Sequence, residues 1–233
     1  MHTYNKSMQK MHCFFNLSVL FFRDFCYNIS HVLRIDFQSL RKGEQMMKRN
    51  IVLVGMIGSG KSHIGRKLAR RLKWQFVDTD RRLERSVGMS IAEFYKYAGE
   101  KIFREKEVNI LHQVSRYHEA VISFGGNFPM NVDTYRILHR YGVIVALASE
   151  PYRVEERVSR HIGKRPTVDY DNLHRFVRLM MKQWEEVYPY CDFTIDTTCG
   201  GASQIVEMIV KAIHDAHLRF AKREGRTENG GNT

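Results

Sequence analysis

Gly55-Met56-Ile57-Gly58-Ser59-Gly60-Lys61-Ser62 matches G-x-x-x-x-G-K-[ST], the signature of a phosphate-binding loop. The residues around it fit that reading. Ile51-Val52-Leu53-Val54 is a short, β-branched apolar run, as a buried parallel strand should be. After Ser62, apolar Ile64, Leu68 and Leu72 recur at helical spacing among Arg66, Lys67, Arg70, Arg71 and Lys73. The loop therefore leaves a strand and opens a helix. Its backbone N–H groups can close around phosphate oxygens at the positive end of the helix dipole. Gly58, Ser59, Gly60, Lys61, Ser62 and His63 are the candidate nucleotide-binding residues. Lys61 would reach the β- and γ-phosphates of ATP, and the Ser62 hydroxyl would ligate Mg²⁺.

Strand and helix patterns alternate on either side of this loop. Residues 74–77 read as a second strand with Asp78-Thr79-Asp80 at its end, and helical segments run on to 115 with Gly88 and Gly99 as breaks. Residues 120–124 read as a third strand ending in Gly125-Gly126, and 142–147 as a fourth. A helix over 150–160, a polar loop over 161–171, a helix over 172–188 and a last strand over 193–195 follow. Residues 202–217, with Ile205, Ile209 and Ile213 in register, close the pattern as a helix. Such alternation implies an α/β fold, a mainly parallel five-stranded sheet covered by helices on both faces. Ligands in such sheets bind beyond the carboxyl ends of the strands. The loop, Asp78, Asp80, Gly125 and Gly126 all fall at that edge.

The chain has 233 residues and a formal net charge of +12. That charge invites a nucleic-acid partner, but its basic residues are scattered, without a block of interleaved aromatics. A positive field also serves an enzyme that handles triphosphate and an acidic substrate. No nucleic-acid partner is expected. Cys13, Cys26, Cys191 and Cys199 fit neither C-x-x-C nor a zinc spacing, and read as free thiols of a cytoplasmic protein. The apolar stretch over 13–22 is too short to span a membrane, and no membrane partner is expected.

Residues 1–45 show no sustained period. Met46-Met47-Lys48-Arg49 looks like the start of the domain, and Lys42-Gly43-Glu44 can be encoded by a bacterial ribosome-binding sequence. The expectation is a translated leader over 1–45, a domain over 46–218 and a disordered tail over 219–233.

A phosphate loop, D-x-D after the second strand, F-R-x-x-E in a helix, a Gly-Gly turn after the third strand and an R-P loop occur here in that order. In this order and spacing the chain resembles the shikimate kinases over 48–217. The resemblance implies the three-layer P-loop kinase fold with a lid loop. It also implies transfer of the ATP γ-phosphoryl group to the 3-hydroxyl of shikimate, with Mg²⁺, by a monomer. Lys61, Asp80 and Arg165 would be catalytic. Asp78 would join Ser62 at the metal, through water, and Asp80 would orient the acceptor hydroxyl. Arg104 would pair with the substrate carboxylate and Glu107 would hold Arg104. Gly125 and Gly126 would line the acceptor. Arg165 would close over the phosphates from the lid, and Arg160 would lie against the adenine.

The pattern departs from the family in three places. Gln183 stands where a second carboxylate-binding arginine is usual. The glycine turn ends in Asn127, and the lid reads Arg165-Pro166-Thr167-Val168 where two leucines are usual. The nucleotide half is intact and the acceptor half is altered. Three readings stay open at this point: a shikimate kinase, a kinase of the same fold with another acceptor, and a nucleotide-binding protein with degenerate catalysis.

Overall fold

The computed structural model describes residues 50–126, 128, 130–160 and 168–228, with side chains as far as residue 216. The expected leader, Asn127 and the lid residues Arg165, Pro166 and Thr167 lie outside the described residues.

Five parallel strands form one sheet in the order β2-β3-β1-β4-β5. They are β1 (Asn50–Val54), β2 (Gln75–Asp78), β3 (Ala120–Ser123), β4 (Gly142–Ala148) and β5 (Phe193–Asp196). Between and after them run α1 (Lys61–Leu72), α2 (Thr79–Val87), α3 (Ile91–Ser115), α4 (Val132–Tyr141), α5 (Pro151–Ser159), α6 (Leu173–Val187) and α7 (Ala202–Glu228).

Period-two alternation sorts the strand side chains into two layers. Ile51 and Leu53 join Val121, Val143, Val145 and Leu147 under α1 and α7, against Ile64, Leu68, Ile205 and Ile209. Val52 and Val54 join Ile122, Ile144 and Ala146 on the opposite face, with Leu83 of α2, Leu111 of α3 and Val154 of α5. The central strands are buried on both faces, which is why they read as unbroken apolar runs. The three-layer α/β expectation is met.

One buried polar residue sets the lower edge of the sheet. Asn50 donates through Nδ2 to the carbonyls of Ser115 and Tyr117, and its Oδ1 accepts from the Ala120 N–H. It ties the start of β1 to the end of α3 and the start of β3. Buried polar groups are kept only when paired in this way.

The structure corrects the sequence reading at two points. Helix α4 had no counterpart in it: this helix offers the core only ten residues, with Leu138 its one fully buried apolar side chain, and it is started by Asn131 Oδ1 accepting from the Thr134 N–H. The tail expected over 219–233 is helical as far as Glu228. The segment after 218 is rich in Arg, Lys, Ala and Glu, which continue a helix once a packed segment has nucleated it. Cys191 is a buried free thiol, as expected.

Candidate active site

Gly60 caps α1 with φ 94°, a left-handed conformation that glycine adopts without strain. This turns the chain sharply enough for Lys61 to begin the helix. Lys61 is buried, and its Nζ donates to the carbonyls of Gly55 and Met56 at 2.7 and 2.9 Å. The ammonium is therefore held by the loop's own backbone. Ser59 is wholly buried, Ser62 is half-buried beside the loop, and His63 stands exposed in the first turn of α1.

A chain of contacts joins this loop to the rest of the expected site. Ser62 Oγ lies 3.5 Å from Ser123 Oγ at the end of β3. Thr79 Oγ1 donates to the Ser123 carbonyl at 3.3 Å and accepts from the Gly125 N–H at 3.2 Å. Gly125 in turn packs on Asp80, since a β-carbon there would sit 2.5 Å from Asp80 Oδ1. Asp78 ends β2 and caps α2, its Oδ1 accepting from the Arg81 N–H at 3.3 Å. That is the capping role a strand-end Asp readily takes, and it leaves the carboxylate at the sheet edge.

Gly126 closes the floor. A β-carbon at Gly126 would lie 2.5 Å from the Ile57 backbone nitrogen and 2.7 Å from its Cα. The turn after β3 is thus pressed against the phosphate loop itself. Gly126→Ala must separate these two backbones and is expected to cost about 1–3 kcal/mol. Chemical denaturation checks this. A variant as stable as the wild type would show that the turn has room.

Helix α3 bends at Gly99, whose φ of 76° and ψ of 169° interrupt the helical run. Phe103 and Arg104 lie one turn beyond the bend. Arg104 Nη1 donates to Glu107 Oε2 at 2.7 Å, and its Nη2 lies 3.7 Å from Glu100. The Glu107 side chain is 10% exposed, and burial pushes its carboxyl up to about 7. The Arg104 hydrogen bond and charge pull it back down, and the nearby Asp80 charge pushes it up. Asp80, Glu107 and Arg104 therefore form one electrostatic group.

This group makes stability depend on pH in a defined direction. A carboxyl raised in the folded state stabilises the fold below about 4.5, its unfolded value, and that contribution is lost as pH rises through about 7. Removing the ionisable group should remove a loss of roughly 3 kcal/mol over this window. Relative to wild type, Glu107→Gln should therefore gain stability between pH 4.5 and 7 and hold a constant difference above it. Melting temperatures across that range check it, and parallel curves for the two proteins would contradict it.

Two expected residues stand apart. Arg160, assigned to the adenine, is exposed and paired with Glu156 at 2.7 Å on its own helix. Gln183 is exposed on α6, with no hydrogen bond to the cluster. Arg165 lies outside the described residues.

Two residues that the sequence reading missed support the loop. Thr79 is the middle of D-x-D and links β2 to β3, as described above. Arg157 of α5 donates to the carbonyls of Gly58 and Thr197, each at 3.1 Å. It braces the phosphate loop against the end of β5. The signal for Thr79 was its place between two aspartates. Arg157 had none, because its partners are 99 and 40 positions away.

Known proteins are similar to this chain in sequence and fold. The shikimate kinase family model matches residues 57–214. The shikimate kinase of Pelotomaculum thermopropionicum is 33% identical over 162 residues, covering 70% of this chain and 94% of that protein. The shikimate kinase of Caldanaerobacter subterraneus subsp. tengcongensis is 33% identical over 167 residues, covering 70% of this chain and 95% of that protein. Among solved structures, the shikimate kinase of Acinetobacter baumannii in complex with shikimate superposes with a TM-score of 0.68 at 28% identity, covering 72% of this chain and 94% of that one. That of Bacteroides thetaiotaomicron superposes with a TM-score of 0.66 at 26% identity, covering 72% and 99%. With a phosphate loop, an aspartate pair and a glycine turn converging on one sheet edge, and with relatives matched over nearly their whole length, this chain belongs to the shikimate kinase family.

Proposed function

We propose that this kinase transfers the γ-phosphoryl group of ATP to the 3-hydroxyl of shikimate. The observation that carries the reading is the line of contacts from Ser62 through Ser123, Thr79 and Gly125 to Asp80, whose charge acts on Glu107, the partner of Arg104. It supports a site with the phosphate loop on one side, a guanidinium suited to a carboxylate on the other, and Asp80 between them as the acceptor's base.

Each group has a role set by its chemistry. Lys61 leaves the loop carbonyls to meet phosphate oxygens, so the buried ammonium is ready before the nucleotide arrives. Asp80 accepts from the acceptor hydroxyl, orients it and takes its proton as transfer completes. Arg104, steadied by Glu107, binds the substrate carboxylate. Gly125 and Gly126 leave room for the ring beside the loop. Arg165 closes over the phosphates from the lid, and Arg160 covers the nucleotide base once its pair with Glu156 opens.

The donor set fits Mg²⁺. Ser62 would supply a hard oxygen ligand in the loop and Asp78 a second one, through water, from the end of β2; no cluster of three acidic, His or Cys side chains exists among the described residues. Mg²⁺ suits that setting because it keeps waters and phosphates as most of its ligands. It would neutralise the charge that develops on the phosphates. The enzyme works as a cytoplasmic monomer on a small hydroxy acid, and among the described residues no helix is long and apolar enough to cross a membrane.

Gln183 favours one second reading. An uncharged, exposed amide stands where a cation would help hold a carboxylate, which suits a different hydroxylated acceptor on the same scaffold. Coupled measurement of ADP release with shikimate, against a panel of other hydroxy acids and polyols, separates the two. Shikimate should give the highest kcat/KM. A neutral polyol that outperforms it would overturn the assignment.

A further inference from the structure

A cavity of about 890 Å³ opens along the free edge of β2, between α1 on one side and α2 and α3 on the other. Of the expected site residues Asp78 lines it, and Lys61, Asp80, Arg104 and Gly126 do not. Its lining carries Arg66, Arg81, Arg82, Arg85, Lys106 and Arg116 against one carboxylate, Asp78, which already caps α2. Among the described residues none of these six cations forms an ion pair. Elsewhere on the surface Arg71, Arg136, Arg153 and Arg160 have carboxylate partners; among the described residues exposed Arg70, Arg140, Arg175 and Arg178 have none, but they do not line this cleft.

Unpaired cations gathered in a cleft focus a positive potential and concentrate anions there. Two of them are also held in place. The Arg66 guanidinium lies 5.5 Å from the Phe76 ring centroid, and that of Arg82 lies 5.5 Å from that of Tyr117 while donating to Gln113 Oε1 at 3.3 Å. Fixed guanidinium forks suit phosphate oxygens better than flexible ammonium groups do.

We propose that this cleft binds a compact anion carrying several phosphate groups. The cavity is of the size that holds a small ligand. Nucleic acid is the weaker candidate, since the two aromatic faces available for base stacking are already covered by Arg66 and Arg82. The chain's own ends do not supply the charge. Residues 1–49 carry Lys6, Lys10, Arg23, Arg34, Arg41, Lys42, Lys48 and Arg49 against Asp24, Asp36 and Glu44, and residues 229–233 carry no acid. The cleft also borders the chemistry, because Arg81, Arg82 and Arg85 share α2 with Asp80.

The test is calorimetric titration of inorganic tripolyphosphate into the full chain, at low salt, with the phosphate loop saturated by Mg·ADP. One further equivalent should bind, more weakly as salt is added. Arg85→Gln with Arg116→Gln, both exposed positions, should weaken that binding roughly ten-fold or more, each single change giving part of the loss. Melting temperature and Mg·ADP affinity should stay unchanged. A parallel titration with CTP tells a nucleotide from an inorganic chain, and tighter binding of either supports the site. No saturable binding beyond ADP, binding unaffected by the double substitution, or preference for a single-stranded RNA oligomer over both small anions would each overturn it. The dependence on Arg85 and Arg116 is read independently of whether shikimate is the acceptor.

Discussion

Lys61→Ala abolishes phosphoryl transfer, with kcat lowered far beyond about ten-fold, since such a contact at the migrating phosphoryl group is worth several kcal/mol. In the folded protein the Lys61 ammonium is buried and bound to the Gly55 and Met56 carbonyls. Burying that charge is tolerable because the loop pairs it, and the same carbonyls hold it where phosphates arrive. Removing it leaves two carbonyls to find water and the γ-phosphoryl charge without a counter-ion. Alanine keeps the helix, so the loss should appear in turnover while the melting temperature changes little. Coupled ADP-release assays decide the matter: residual activity above about a tenth of wild type would contradict the role given to Lys61.

Arg104→Ala raises the KM for shikimate by roughly ten-fold to a hundred-fold, because a charge-assisted hydrogen bond contributes on the order of 1.5–3 kcal/mol. The effect is compounded inside the protein. Glu107 is largely buried and feels the Asp80 charge, and Arg104 is the cation that lowers its pKa. Without Arg104 the buried Glu107 carboxyl loses the hydrogen bond and charge that lower its pKa, and should hold its proton to higher pH. Gln183→Arg should act in the opposite sense, lowering the KM for shikimate by roughly ten-fold while the KM for ATP stays constant. If Gln183→Arg changes nothing, Arg104→Ala distinguishes the causes. A large rise in KM on losing Arg104 means that another cation, such as exposed Lys182 or Arg178, already helps. A negligible rise means that the acceptor carries no carboxylate at that place.

These expectations differ in how far they could be read before the fold was known. Residues 55–62 carry their meaning locally. Phosphate binding by this loop uses backbone N–H groups, glycine geometry and a helix start, all encoded in one contiguous stretch. The strands were legible for a related reason. A parallel sheet covered on both faces demands short apolar runs, and Ile51–Val54 and 142–148 supply them. Asp78, Asp80 and the Gly125-Gly126 turn could be placed at one edge because that edge collects the carboxyl ends of all the strands. The Arg104–Glu107 pair was implied by the family resemblance and fits helical i,i+3 spacing, and the two groups meet at 2.7 Å.

What sequence could not supply is whatever depends on partners far along the chain. Asn50 reads as an ordinary polar residue before a strand, yet it is buried and bonded to groups 65 to 70 positions away. Arg157 sits in a helix of mixed charge, and only folding brings it to Gly58. Arg160, three residues on, has the same composition around it and pairs with its own helix instead. The raised pKa of Glu107 needs burial, which the spacing of charges does not encode. The basic cleft is assembled from α1, α2 and α3, whose cations are spread over 66–116 and look like solvated helix faces when read in line. The sequence by itself therefore determined the chemistry of the phosphate loop and the layering of the sheet, because both rest on local backbone geometry and local hydrophobic period. Tertiary structure alone decided which charges are buried, which are paired and which are left to face one another, because burial and long-range contact set their energies.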